Sequence, residues 1–383
     1  MQIPFTSSPR SSLGVEWELE LVDLETRELA GAASDILDEL GRSSPDGHHR
    51  KAKHELLESC IEVITGVCTT VDEAVCDLRA TLCEVQQAAA ARGLGVMCSG
   101  THPTSDWANQ QISPDPRYAK LVEDMQWLAR RMQIFGVHVH VGVRSPDKVI
   151  PIVNALTAYI PHFLALSASS PYWIGTDTGL ASARSKVFEG LPTAGIPYQL
   201  SGWDDFERYM ATLISAQTIE SVREVWWDVR PHPNFGTVEL RICDGLPTLF
   251  EISWATAMSQ CLVEMFNGQL DRGYTLPTPR GWTVRENKWR AARYGIDAEL
   301  IVDNEGRTQP LRDLVAELVE DLAPIADRLG CATELHRART ILEVGASYQR
   351  QRAAAAAAGG DLRAVTDALI AEMRAQVPIG VVA

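Results

Sequence analysis

The sequence has none of the glycine cradles that proteins commonly use to hold phosphate. Across 383 residues there is no G-x-x-x-x-G-K-[ST], and no G-x-G-x-x-G opens a helical pattern. A phosphorylated ligand would have to be held by metal and arginine instead. The G-x-S-x-G elbow and the H-E-x-x-H pair are missing as well. We find no run of about 18 apolar residues, so no membrane-spanning helix is expected. The first residues, Met1 to Pro9, lack the basic-then-apolar order of a signal peptide. Positive charge is scarce: 35 Lys and Arg against 50 Asp and Glu leave a formal charge of −15. Such a surface repels DNA, RNA and anionic membrane, so neither nucleic acid nor membrane is an expected partner. The eight cysteines form no C-x-x-C pair. Cys60, Cys68, Cys76 and Cys83 sit among apolar, helix-like neighbours and read as reduced, mostly buried thiols of a cytoplasmic protein.

What is present is carboxylate, ordered with the period of a strand. In Gly14-Val15-Glu16-Trp17-Glu18-Leu19-Glu20-Leu21 the three glutamates share one face, and Val15, Trp17, Leu19 and Leu21 share the other. More than two hundred residues later, Thr237-Val238-Glu239-Leu240-Arg241-Ile242 repeats the pattern with Glu239 and Arg241. Carboxylates in a row repel one another unless solvent or a cation screens them. The segment 53–66 adds Glu55, Glu58 and Glu62 among Leu56, Leu57, Ile61, Val63 and Ile64. Such a set, with His138, suits one or more hard divalent cations, Mg2+ or Mn2+, rather than zinc.

His138 and His140 share a face in Gly136-Val137-His138-Val139-His140-Val141-Gly142. Either could be a ligand or a hydrogen-bonded core histidine. Arg241 would stand beside a metal held by Glu239, where a guanidinium can grip a transferring phosphoryl group or merely neutralise the acid. Arg184 lies in a polar stretch, as a grip for a substrate carboxylate or as a solvated loop charge.

The chain reads as one α+β domain spanning 1–383, and a hydrophobic share of 45% is ample for its core. Strands are expected at about 13–23, 94–99, 134–143 and around Glu239. Helices are expected at 71–92, 115–133, 147–169, 204–222 and 249–270. The C-terminal third, about 285–383, should be mainly helical, at 285–295, 311–330, 334–357 and 361–375. Residues 170–203 form an irregular segment long enough to suggest a functional loop.

Together these stretches resemble the bacterial glutamate–cysteine ligase type 2, or carboxylate–amine ligase, family. The resemblance rests on Gly14-Val15-Glu16-Trp17-Glu18, on Lys53-His54-Glu55 with Glu58 and Glu62, and on Gly100-Thr101-His102-Pro103. It continues through Phe135 to Gly142, Ser170-Pro171-Tyr172, Gly175 to Thr178, Trp227 to Pro231, Phe235 to Arg241 and Asn287 to Gly295. It implies a curved antiparallel sheet of about six strands forming a cup, with helices packed outside, as in glutamine synthetase and the guanidino kinases. It implies an ATP-dependent ligase in which a substrate carboxylate becomes an acyl phosphate and an amine displaces the phosphate. Glutamate and cysteine are the namesake pair. By the same resemblance Glu16, Glu18, Glu55, Glu62, His138 and Glu239 are metal ligands, Arg241 and Glu239 are catalytic, and Arg184 binds substrate. Glu55 stands where an aspartate is frequent, and Glu20 has no consistent counterpart. Self-association into a dimer or larger ring is an expectation on this ground alone. A metal-dependent phosphotransferase of guanidino-kinase type, or a non-catalytic nucleotide- or metal-binding protein, stays open beside the ligase.

Overall fold

The alternation in β1 (Leu13–Asp23) decides the layering. Val15, Trp17, Leu19 and Leu21 are each at most 1% exposed. They face the helices Val71–Ala90 and Leu249–Asp271, which cover this side of the sheet. The Trp17 indole Nε1 donates to the Leu246 carbonyl at 3.0 Å, so its one polar atom is satisfied in the core. Helix Val71–Ala90 begins at a reciprocal cap: Thr70 accepts from the Glu73 amide, and the Glu73 carboxylate accepts from Thr70. The main core cluster draws its residues from Leu13 to Met373, and three smaller clusters lie beside it. The structure, a computed structural model, describes residues 2–381.

The other strands are β2 (Ala52–His54), β3 (Cys60–Ile64), β4 (Leu94–Met97), β5 (Val137–Gly142), the small hairpin β6 (Tyr172–Trp173) and β7 (Thr176–Asp177), β8 (Val229–His232), β9 (Thr237–Leu240), and a second small hairpin, β10 (Glu299–Ile301) and β11 (Thr308–Pro310). The main sheet has seven strands, all pairs antiparallel, in the order β2-β3-β1-β5-β9-β8, with β4 also pairing β1. The count exceeds the expected six or so because β1 is 11 residues long. β5 pairs with it from Leu13 to Trp17, and β4 takes over from Glu20 to Asp23.

Several expected elements differ in detail. Residues 53–66 contribute the hairpin of β2 and β3. The expected helix 115–133 is broken at Gln126, which takes φ +50° between helices Pro116–Met125 and Trp127–Arg130. The expected helix 334–357 is two helices, Ala332–Val344 and Ser347–Ala357, because Gly345 turns the chain at φ +92°. β9 ends at Leu240, although the Arg241 amide still donates to the Asp228 carbonyl at 2.8 Å. One helical run, Pro146–Ser167, is by length and composition alone long and apolar enough to cross a membrane. The protein itself buries 72% of its most apolar window, as befits an interior helix. All eight cysteines are unpaired; Cys60 and Cys68 are buried, but Cys76 and Cys83 are exposed on the outer side of their helix.

Candidate active site

The sheet register gathers charge on the face opposite Trp17. Lys53, Glu62 and Glu18 are successive cross-strand partners on β2, β3 and β1. Glu16 is the partner of His138 on β5. Gly14, His140, Glu239 and Arg230 line up across β1, β5, β9 and β8. Each of these positions has the parity of Glu16 along its strand, so all point to the same side.

Two groups of donors converge there. Glu16, Glu62 and His138 bring ligand atoms within 4.8 Å of one another, and so do Glu16, His140 and Glu239. His138 Nδ1 lies 3.1 Å from Glu16. His140 is oriented by a 3.0 Å contact from Nδ1 to the Thr237 hydroxyl. Its Nε2 then faces Glu16 at 3.5 Å and Glu239 at 3.8 Å. That Nε2 is buried and has no hydrogen-bond partner. Carboxylate oxygens and imidazoles whose second nitrogen is fixed are what a hard divalent cation needs.

Arginines hold the other edge. Glu239 is fully buried and is clamped from two sides. Arg230 donates through Nε at 2.6 Å, and Arg241 through Nη1 at 2.5 Å. Removing that carboxylate would strand one buried and one partly buried guanidinium group, at a cost of about 3–5 kcal/mol. Glu18 accepts from the Gly136 amide at 2.5 Å. Over Gly136 lies Arg184, itself buried, with Nη2 3.4 Å from the Arg241 carbonyl and Nη1 3.9 Å from Asp244. A Cβ at position 136 would stand 2.3 Å from Arg184 Nη2, so glycine is what admits the guanidinium.

Burial sets the protonation. It pushes the Glu18 carboxyl up to about 8, with the nearby Glu55 carboxylate adding to it. Burial, then Glu16, raises Glu62 well above the usual carboxylate range despite Lys53 at 2.6 Å. Burial also works against ionised Glu16, but the His138 hydrogen bond and the imidazole of His140 close by hold its carboxyl well below that range. His138 is lowered to about 4 by burial and by Arg241, so it is neutral at pH 7 and fit to donate or to ligate.

The face thus brings together Glu16, Glu18, Glu62, His138, Glu239 and Arg241, with Arg184 behind Gly136. Glu55 stands apart from both donor groups, where it accepts from the Tyr118 hydroxyl at 2.7 Å. Glu58 binds the Ser34 hydroxyl and amide at the start of helix Ala33–Gly41. Glu20 shares the parity of Glu16 but reaches Ser99, whose amide and hydroxyl donate to it at 2.7 and 2.9 Å. Arg230 and Lys53 were missed, and His140, left open between ligand and core histidine, stands in the second donor group. Asp228, Arg230 and His232 do alternate, but β8 has only four residues, too few for the alternation to mark Arg230. Lys288 was also missed: fully buried, it bridges Asp228 at 2.6 Å and Glu189 of the 170–203 segment at 2.7 Å.

The sequence model of glutamate–cysteine ligase family 2 matches residues 12–368. The chain belongs to this family. A family-2 relative from Frankia casuarinae, provisionally named glutamate–cysteine ligase 2-1, is 62% identical over 99% of both chains. The fold of this family-2 chain is similar to that of the glutamate–cysteine ligase of Francisella tularensis solved with AMP. That match has a TM-score of 0.62 and 13% identity, over 99% of this chain and 97% of that one. It is also similar to a bifunctional glutathione synthetase from Pasteurella multocida, with a TM-score of 0.65 and 15% identity, over 96% of this chain and 52% of the other. Family membership makes the protein a ligase.

Two predictions come from this geometry. Gly136→Ala has an ordinary backbone and should fold, but Arg184 must move. Ligase turnover should fall by about a hundredfold, as misplacement of about 1 Å does elsewhere; a folded variant with wild-type turnover contradicts the placement of Arg184. Burial pushes Glu20 up to about 8, offset only in part by Ser99. Its folded form binds a proton that the unfolded chain releases near pH 4.5, so its contribution to stability is lost as pH rises toward 8. Glu20→Gln should therefore flatten the decline in urea midpoint between about pH 5 and pH 9. An unchanged slope would remove Glu20 as its source.

Proposed function

We propose that this family member is an ATP- and Mg2+-dependent carboxylate–amine ligase that joins glutamate to cysteine, or to another amine, in one domain in the cytoplasm. The observation that carries the reading is the register that packs Glu16, Glu62, His138, His140 and Glu239 against Arg230 and Arg241 on one buried face. Unpaired cysteines accord with a reducing compartment.

The substrate carboxylate attacks the terminal phosphorus of ATP, ADP leaves, and an acyl phosphate forms. The amine then attacks the carbonyl carbon, phosphate leaves, and the nitrogen gives up a proton. Both reactants of the first step are anions. Glu16, Glu62, His138, His140 and Glu239 would hold Mg2+, with Glu18 beside them. The cation supplies charge neutralisation at the phosphate oxygens. Arg241 would take the oxygens of the transferring group, and Glu239 keeps its guanidinium aimed. Arg184, from the 170–203 segment, would grip the acid substrate. The same segment would help keep water from the acyl phosphate. The family match disfavours a phosphotransferase that stops at a phosphorylated product.

Glu16→Gln tests the reading most cleanly, because Glu16, unlike Glu239, clamps no arginine. It should abolish ADP release in the presence of glutamate and cysteine and leave the melting temperature near that of the wild type. Retained turnover would refute the site. Arg184→Ala should raise KM for the acid substrate more than KM for ATP; the opposite order would reassign it.

Because burial lifts Glu18 to about 8 and raises Glu62 above the usual carboxylate range, Mg2+ binding must displace protons. Calorimetric titration in two buffers of different ionisation enthalpy should show protons released, and affinity should grow as pH rises toward about 8. Affinity that is flat across neutral pH contradicts the assignment.

A further inference from the structure

At the β8–β9 turn, beyond the Glu16–His140–Glu239 group, the charged face gives way to three aromatic rings. Phe235 lies parallel to His232, with centroids 4.1 Å apart and planes at 9°. His140 meets both edge-on, 5.4 Å from His232 and 5.7 Å from Phe235. His232 is buried and its Nδ1 has no hydrogen-bond partner. Phe235 is 51% exposed, so with His232 against one face its other face is left open.

An exposed ring on a loose loop would be unremarkable surface. This one is fixed. Thr6 donates its amide to the Pro233 carbonyl at 2.9 Å, and the Ser8 hydroxyl donates to the Phe235 carbonyl at 2.6 Å. The Val143 amide donates to the Gly236 carbonyl at 2.9 Å. Gly236 takes φ +62°, and a Cβ there would stand 1.7 Å from the Thr6 carbonyl oxygen. The turn is therefore packed against residues 6–8 through a glycine that no other residue could replace without movement.

We propose that the open face of Phe235, backed by His232, is the platform on which the purine ring of the nucleotide stacks. This rests on the reading that ATP binds the acidic face. A nucleotide carries its phosphates and its base at opposite ends of a ribose. The His140 group holds the charged end, and the neighbouring aromatic stack matches the flat, uncharged end. Stacking of this kind tolerates any base and is worth about a tenfold factor or more in binding when the ring is removed.

Inorganic tripolyphosphate has the charge of ATP without the base, so it separates the two contributions. Phe235→Ala should weaken ATP binding about tenfold or more and leave tripolyphosphate binding with Mg2+ unchanged. Phe235→Tyr should bind both as the wild type does. The fluorescence of 2-aminopurine riboside triphosphate should be quenched on wild-type protein and not on Phe235→Ala. If Phe235→Ala binds ATP as tightly as the wild type, or still quenches the probe, the platform is overturned while ATP binding stands. If both ligands weaken equally, Phe235 supports the fold of the site rather than the base, and the platform is again overturned. Wild-type protein that binds neither ligand would overturn the function itself.

Discussion

Four carboxylates on one sheet face, three buried and Glu16 half-buried, repel one another, and the surrounding structure is arranged around that repulsion. Glu16, Glu18 and Glu62 come from two adjacent strands, and Glu18 and Glu62 are direct partners. Like charges opposite each other in a sheet are destabilising, and burial removes the water that would screen them. Each acid is answered in a different way. Glu239 has two guanidinium groups, Glu62 has Lys53, Glu16 has two imidazoles, and Glu18 has the Gly136 amide and a raised proton affinity. A site that keeps a proton for lack of positive charge suits the divalent cation proposed above.

The opposite face carries the stability that this arrangement draws on. Val15, Trp17, Leu19 and Leu21 alternate with the glutamates, so the strand that presents the acids also anchors the core. Strain at functional sites is tolerated only where surrounding structure over-determines it. The loop that brings in Arg184 is fixed similarly. Asp244 accepts from the Ser170 hydroxyl at 2.7 Å, the Ser182 hydroxyl at 2.8 Å and the Ser169 amide at 3.0 Å. Lys288 ties Glu189 to Asp228. Both ties join the 170–203 segment to the strand ends that carry Arg241 and Arg230.

The acidic face was legible wherever one side of a strand is strictly apolar, as in β1, β5 and β9. Period two then fixes which residues share a side, and only the register had to come from the structure. Where strands are short the signal fails. β8 has four residues, all buried and one of them proline, so Arg230 does not stand out from its neighbours. The 53–66 segment carries acids at spacings that do not separate hairpin from helix, so the resemblance named Glu55 and Glu62 as ligands and left Glu58 without a role. Glu62 falls on β3 opposite Glu18, whereas Glu55 and Glu58 lie in the turn. Glu20 has the right parity but lies where β4 replaces β5 as partner, so it meets Ser99 rather than an imidazole. His140 was left open because its ligand role depends on Thr237 fixing the other nitrogen, a contact between residues 97 apart.

Anomalous diffraction from crystals soaked with Mn2+ and a non-hydrolysable ATP analogue addresses the central claim directly. Manganese peaks are expected against Glu16, one shared with Glu62 and His138 and one with His140 and Glu239, bridged to phosphate oxygens. Manganese bound elsewhere, with Glu16 still paired only to the two imidazoles, would contradict the account.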